Sequence, residues 1–205
     1  PVFSGVYSVG RPELTEQGLW MACVLFSGQG AALGGRTAAI AWGFQNRPVS
    51  PVTVVRPGND GKRGRARLKA QGHNSRASLL TSRCRWLSDE HVTRFQGIPI
   101  LHIEPLLLQL AGQMKPDDFQ YAFWEADRKR GLNDQRLESC LEMSHGRRGG
   151  QAFRQSIDCR MPHIQEALSI LEVLLMELDR RGDIPSPEVN RNVEGHIVDF
   201  RWPPR

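Results

Sequence analysis

The spacing of apolar residues along the chain predicts short strands interspersed with helices. Alternation with period two predicts a strand over residues 2–9, a hairpin over residues 51–80 with a turn at 56–61, and a short strand over residues 97–101. Helical spacing predicts five helices, over residues 14–27, 36–44, 104–110, 116–129 and 134–143, with Thr15 as the cap of the first. The pattern is typical of a mixed α/β fold.

A glycine and arginine stretch at residues 146–150 is the candidate boundary between two units, 1–150 and 151–205. After it, leucines and one isoleucine recur at helical spacing, and Gly182 supplies the stop signal. The members of this repeat are Ile164, Leu168, Leu171, Leu174, Leu175 and Leu178. Extended chain is predicted over residues 193–200. The second unit is therefore expected to open with a helix and continue into strands.

Composition narrows the class of protein. The 205 residues carry 27 Lys and Arg against 22 Asp and Glu, a net charge of +5, and most of the positive residues are arginines, whose planar fork suits phosphate. No apolar stretch approaches the roughly 20 residues that a membrane helix needs, and the N-terminus lacks the zones of a signal peptide. The four cysteines are scattered without a C-x-x-C pair, which favours reduced thiols. We therefore expect a cytoplasmic protein without a membrane partner, and nucleic acid is a candidate partner.

The C-terminal unit carries an ordered set of short motifs. Leu171-Glu172 lies in the predicted helix, and Pro185-Ser186-Pro187-Glu188-Val189-Asn190, Val193-Glu194-Gly195 and Val198-Asp199-Phe200-Arg201-Trp202-Pro203 follow. This order resembles a domain of unknown function related to the very-short-patch-repair endonucleases, a branch of the PD-(D/E)xK nuclease fold. The resemblance implies a restriction-endonuclease-like α/β unit at residues 151–205, after a small α/β domain.

Residues 1–150 are similar to a second family. Gly5-Val6-Tyr7-Ser8-Val9-Gly10, Thr37-Ala38-Ala39-Ile40-Ala41-Trp42-Gly43, and Val92-Thr93 through Gly97-Ile98-Pro99 resemble the AbiEi-type antitoxins and transcriptional regulators. The family joins a winged helix to an α/β domain, and here no helices precede the Gly-Val-Tyr segment. The nuclease-like family continues beyond Trp-Pro with a strand that bears an acidic pair. With Pro1 at one end and Arg205 at the other, we expect both domains to be truncated.

The nuclease resemblance implies two catalytic carboxylates. Asp199 matches the aspartate of the catalytic strand and a ligand of Mg²⁺, while Glu172 matches the glutamate of the first helix, which positions water. Carboxylates suit Mg²⁺, which lowers the pKa of an attacking water beside the scissile phosphate. Each residue also has an ordinary structural role, Asp199 as an acceptor of turn amides and Glu172 as the flank of an amphipathic helix. With only these two carboxylates, we expect this chain not to cleave DNA.

Basic residues give the candidate DNA contacts. Arg63, Arg65 and Arg67 alternate along one strand, which places like charges side by side unless an anion or solvent relieves them. Arg147 and Arg148 form a second basic site. A solvated surface is the usual explanation of such runs, and the alternating arginines make the best case for DNA contact. Two functions follow: a DNA-directed protein that in complete form is a Mg²⁺-dependent endonuclease, or a DNA-binding regulator of the antitoxin type, with a toxin as partner and no nuclease activity.

Overall fold

The protein is described here from a computed structural model. It describes residues 2–10, 13–45, 50–58, 63–67, 78–161, 164, 169–182, 184–185, 187–193 and 195–202. Its helices are α1 (Glu16–Ser27), α2 (Gly35–Trp42), α3 (Ile103–Ala111), α4 (Pro116–Arg130), α5 (Asp134–Met143), α6 (Gly150–Asp158) and α7 (Ile170–Arg181). Its strands are β1 (Ala32–Leu33), β2 (Val52–Pro57), β3 (Arg63–Arg67), β4 (Ser78–Cys84), β5 (Val92–Phe95), β6 (Ile98–Leu101), β7 (Glu188–Val193) and β8 (His196–Arg201). The predicted mixed α/β class is confirmed.

Within the described residues, strands β1 to β6 form one mixed sheet in the order β3-β4-β2-β1-β6-β5. The pairs β2–β4 and β1–β6 are parallel, and the other neighbours are antiparallel. Strand β2 is central, and its residues from Val52 to Val55 are all buried. Burial of consecutive residues means that both faces of the strand are covered, since successive side chains point to opposite faces.

The predicted hairpin of residues 51–80 is wrong in its pairing. Strand β4 lies between β2 and β3, parallel to the first and antiparallel to the second. The alternating pattern identified the strands correctly but carried no information on which strands are neighbours. Apolar β2 gains more from a central position than β3, whose sequence Arg-Gly-Arg-Ala-Arg suits an edge, where charged side chains deter pairing with other chains.

The predicted strand at residues 2–9 is also absent from the described structure. The chain instead forms a tight turn, in which Phe3 and Val6 make an isolated bridge around Gly5 at φ +79°. The Phe3 ring stacks on Phe26 of α1 with ring centroids 4.5 Å apart. Closure of the turn over a few residues, together with the Phe3–Phe26 contact, replaces the extended pairing that a strand would need.

The helical part of the core is centred on α3. This helix packs against α2, α4, α5 and α6, and nearly all of its residues are buried. The rings of Phe119 and Phe123 on α4 and Phe153 on α6 meet with centroids 6.2 to 6.5 Å apart. Helix α6, on the far side of the proposed boundary, thus contributes a fully buried side chain to the same core as α4.

The segment that the sequence suggests as a linker is closely packed. Gly149 has φ +84°, and a Cβ there would lie 2.2 Å from the carbonyl carbon of Ala111 at the end of α3. A Cβ on Gly150 would lie 2.3 Å from the Ser144 carbonyl oxygen. These glycines therefore allow the backbone to approach its neighbours closely, and the basic run at 146–150 is held against α3. The boundary between residues 150 and 151 falls in the first turn of α6 and stays a prediction.

Helix α7 and the hairpin β7–β8 make up the C-terminal part of the described structure. Gly182 ends the helix in a left-handed conformation, as predicted, and Gly195 at φ +88° turns β7 into β8. The predicted apolar face is only partly the buried one, because Leu174 packs against the core while Leu171 and Leu178 are exposed and Glu172 and Glu177 are buried. Of the other predicted positions, Ile164 is buried ahead of α7 and Leu168 lies outside the described residues. The leucine repeat reported a helix correctly without revealing which side of that helix meets the core. Among the described helices, none is long and apolar enough to span a bilayer.

Candidate functional site

Glu172 lies in the first turn of α7 and takes part in capping that helix. The Ser169 hydroxyl donates to Glu172 Oε1 at 2.9 Å, and the Glu172 amide donates to Ser169 Oγ at 3.3 Å. This S-x-x-E arrangement is related to the capping box, in which a serine and a glutamate satisfy the free amides of a first helical turn. The Glu172 side chain is also buried. Glu172 therefore has a structural role at the start of α7, while its catalytic role stays a prediction.

Asp199 belongs to β8, in the two-stranded antiparallel sheet with β7. Its backbone position in an extended strand agrees with the predicted strand, but its side chain lies outside the described part of the structure. The register of the hairpin pairs Val198 with Arg191 and Phe200 with Val189, on either side of Asp199. The predicted strand is therefore present, and the assignment of Asp199 as a catalytic residue stays a prediction.

The described residues do not complete a site for Mg²⁺. Among them, no three or more His, Cys, Asp and Glu side chains group together in a way that could hold a metal ion. Mg²⁺ requires near-octahedral oxygen coordination, and Glu172 brings a single carboxylate that already accepts a hydrogen bond from Ser169. No catalytic step through a metal ion follows from this geometry.

Arg63, Arg65 and Arg67 lie in β3, at the outer edge of the six-stranded sheet. Their side chains are outside the described structure, whereas the register of their backbone with β4 is defined, with Arg65 opposite Leu80. Among the described strands, β3 has a partner strand on one side only. The sequence expected the same three arginines on a hairpin, and the structure moves them to the border of a sheet.

Arg147 and Arg148 project from the glycine-rich turn before α6 and differ in their surroundings. The Arg147 guanidinium lies 5.7 Å from the centroid of the Trp86 ring, a cation–π contact, and the side chain is half-buried. Arg148 is exposed. The pair predicted from the sequence therefore separates into one arginine engaged with an aromatic ring and one that is open to solvent.

A cleft that the sequence did not indicate lies between helices α3 and α5. It has a volume of about 470 Å³, and its walls include His91, His102, Arg136 and Cys140. Burial lowers the pKa of both imidazoles, and Arg136 lowers that of His102 further. Its wall comes from the segment before β5, the start of α3 and helix α5, so no local sequence motif could have indicated it.

The cysteines are free thiols, as the sequence predicts. Cys23 and Cys140 are buried in the core, and burial raises the pKa of each thiol to about 12. A thiol with so high a pKa stays protonated at neutral pH and is a poor nucleophile. These two residues therefore act as small packing side chains.

Comparison with known proteins gives no relative for this chain. No protein-family model, curated protein or solved structure matches it. The resemblances to nuclease-related and antitoxin-type families consequently stay predictions that rest on the residues quoted above. The positions of the candidate residues are therefore the basis of the functional proposal.

Proposed function

We propose that this protein is DNA-directed, and that its C-terminal unit is related to metal-dependent DNA endonucleases. The observation that carries the proposal is the position of β3, a strand with three arginines in five residues at the edge of the sheet. Phosphate contacts from arginine give affinity that does not depend on base sequence, and they set the register of a protein on DNA. The net charge of +5 and the exposed Arg148 also favour contact with DNA phosphates.

The endonuclease part of the proposal rests on the order helix, hairpin and acidic residues. Glu172 lies at the start of α7 and Asp199 lies in β8, the order that the resemblance implies. In a complete site these two carboxylates are proposed to bind Mg²⁺ together with further oxygen ligands, since hard cations prefer oxygen. Mg²⁺ is therefore proposed as a cofactor of the complete site only.

A second function is favoured by one specific contact. The hydrogen bond from Ser169 to Glu172 Oε1 supports a structural role for Glu172, which suits a DNA-binding regulator of the antitoxin type without nuclease activity. Such a protein is proposed to act in the cytoplasm and to have a toxin as its partner. The two functions share DNA as the ligand and differ in whether DNA is cut.

One assay tests DNA binding and DNA cleavage together. The 205-residue chain is mixed with a fluorescently labelled duplex and, in parallel, with supercoiled plasmid, each with Mg²⁺ or with a chelator. We expect binding at low salt without strand cleavage, because two carboxylates hold Mg²⁺ poorly. Mg²⁺-dependent nicking that the Glu172→Gln change abolishes would establish the enzyme. Absence of binding at low salt would overturn the whole proposal.

A further inference from the structure

A second cavity lies between α4, α6 and α7, and no function proposed above uses it. Its volume is about 280 Å³, and its walls include Gln120 and Trp124 of α4, Ser156 of α6, and Glu177 and Arg180 of α7. One water molecule takes up roughly 30 Å³ of the liquid, so the cavity has room for more than a single bridging water. We refer to it as the α4–α6–α7 cavity.

Two of the residues that line this cavity carry buried nitrogen atoms without a hydrogen-bond partner. They are Trp124 Nε1 and Gln120 Nε2, and in the described part of the chain no other buried side-chain nitrogen or oxygen is unpaired. Trp124 is 6% exposed. The indole nitrogen can only donate, so no rotation or flip of the side chain supplies it with a partner. Buried donors are almost always paired in native proteins, and two unpaired donors one helical turn apart in one cavity require an explanation.

Two of the side-chain acceptors in the cavity wall, on Gln120 and Glu177, are already engaged, and those of Asp117 and Gln155 belong to exposed side chains. Gln120 Oε1 accepts from the Ser156 hydroxyl at 2.8 Å. The Glu177 carboxylate accepts from Arg180 Nε at 2.7 Å on one oxygen and from Arg180 Nη2 at 2.8 Å on the other. Arg181 Nε also donates to Glu177, at 2.9 Å. The interior of the cavity therefore has donors to spare, and a ligand that completes it must bring acceptors.

The strength of the hydrogen bonds favours an ionised acceptor over a neutral one. The charged side chains that line the cavity are Arg180, Arg181, Glu177 and Asp117, and their charges sum to zero. Arg180, Arg181 and Asp117 are exposed, so solvent screens their charges and the two unpaired donors decide the ligand. Hydrogen bonds to an ionised acceptor are stronger than those to a neutral one.

We propose that the α4–α6–α7 cavity binds a small carboxylate, whose two oxygens accept from Trp124 Nε1 and Gln120 Nε2. The two donors stand at i and i+4 on α4, on one face of that helix, which suits the two oxygens of one carboxylate group. The arginine side chains that border the cavity are 41% and 59% exposed, so they can move aside as the ligand reaches the buried nitrogens.

The position of the cavity gives the ligand a structural consequence. Its walls come from α4 and α6 on one side and from α7 on the other, so a bound carboxylate contacts the helix that carries Glu172 as well as the core around α3. Binding would therefore stabilise the docking of α7, because a ligand that binds only the folded state adds stability that grows with the logarithm of the ligand concentration above its Kd.

The indole resonance of Trp124 provides a direct test. A ¹H–¹⁵N NMR spectrum of the ¹⁵N-labelled chain is recorded while sodium acetate or sodium succinate replaces sodium chloride at constant ionic strength, and inorganic phosphate is titrated separately. We expect the Trp124 Nε1–H signal, assigned through Trp124→Phe, to move downfield and saturate with a carboxylate. The indole signals of Trp42 and Trp202 should stay in place, because their Nε1–H groups already donate to the Leu101 and Pro185 carbonyls.

Variants give a second readout. Gln120→Leu removes one donor and keeps the Trp124 reporter, and the loss of a hydrogen bond to a charged group should raise the Kd of the carboxylate about tenfold or more. Trp202→Phe, at an exposed position away from the cavity, should leave the Kd unchanged. A Trp124 signal that fails to saturate, that responds only to phosphate, or that is equally affected in Gln120→Leu would overturn the proposal.

Discussion

Two buried glutamates of α7 have different sets of partners, and this difference decides what each can do. The Glu172 carboxylate accepts from a neutral serine hydroxyl, whereas Glu177 accepts from the guanidinium groups of Arg180 and Arg181. Hydrogen bonds from Arg180, together with those from Arg181, hold the pKa of Glu177 below its ordinary value. Glu177 is therefore ionised at neutral pH and serves as a fixed anchor for both arginines.

Replacement of Glu177 by glutamine should lower stability in a pH-dependent way. The charge-assisted bonds are lost, and because both arginines are largely exposed, solvent screening limits the expected cost to about 1 kcal/mol at pH 7. A lowered folded pKa means that the contribution is present above the ordinary value of 4.5 and is lost as the pH falls through the folded pKa. Urea denaturation at pH 7 and near pH 3 should show the difference between wild type and Glu177→Gln shrinking in acid.

The matched control for this change is Glu138→Gln on the exposed face of α5, which should alter stability little at either pH. A difference for Glu177→Gln that is the same at both pH values would show that its effect comes from packing and not from charge.

At the scale of elements, Arg160 fixes the chain after α6 to the junction of α4 and α5. Its Nε and Nη2 atoms donate to the fully buried carboxylate of Asp127, at 2.6 Å and 3.1 Å, and its Nη1 donates to Asp134. Asp127 Oδ1 also accepts from the Leu132 amide at 3.1 Å. One arginine thus connects three segments of the helical core through a buried carboxylate.

Arg160→Ala should destabilise the protein by about 3–5 kcal/mol, because it leaves the buried Asp127 carboxylate without its counter-charge. The control is Arg154→Ala on α6, where the exposed guanidinium makes a hydrogen bond with the ring of His145. That change should cost well under 1 kcal/mol. Chemical denaturation measures both, and equal values for the two variants would contradict the structural role assigned to Arg160.

Features that depend on residues close together in the sequence were predicted well. Features that depend on contacts between distant parts of the chain could not be predicted. Thr15 caps α1 by accepting from the Gly18 amide at 3.1 Å, and Gly182 ends α7, because both effects depend on residues within one helical turn. The placement of β4 between β2 and β3 depends on which strands gain from burial, and an alternating pattern does not contain that information. For the same reason, the leucine repeat did not show that Leu171 and Leu178 of α7 are exposed.

The same distinction between local and non-local features applies to the candidate site. The sequence could place Glu172 at the start of a helix and Asp199 in a strand, since each position follows from local patterning. It could not show that Ser169 engages Glu172, nor that Trp124 and Gln120 face a cavity with unpaired donors. Those properties arise only once α4, α6 and α7 are packed together.

At the scale of the whole molecule, the proposed DNA binding depends on where basic side chains can contact phosphate. Many basic side chains are already engaged: Arg128 and Lys129 bind Glu125, and the Arg130 Nε donates to the Trp42 carbonyl. The three arginines of β3 are distinguished by their place at the sheet edge. A net charge of +5 therefore matters less than its distribution, and β3 is the segment where DNA contact is proposed.

The salt dependence of DNA binding tests this account most directly. The affinity of the chain for a duplex is measured between low and moderate salt for wild type, for the triple alanine variant of Arg63, Arg65 and Arg67, and for that of Arg128, Lys129 and Arg130. Each lost phosphate contact should reduce the slope of log K against log salt by about 0.9. We predict a slope reduced by up to about 2.7 in the first variant and unchanged in the second. Equal slopes in all three proteins, or an equal loss in both variants, would contradict the assignment of β3 as the DNA-binding edge.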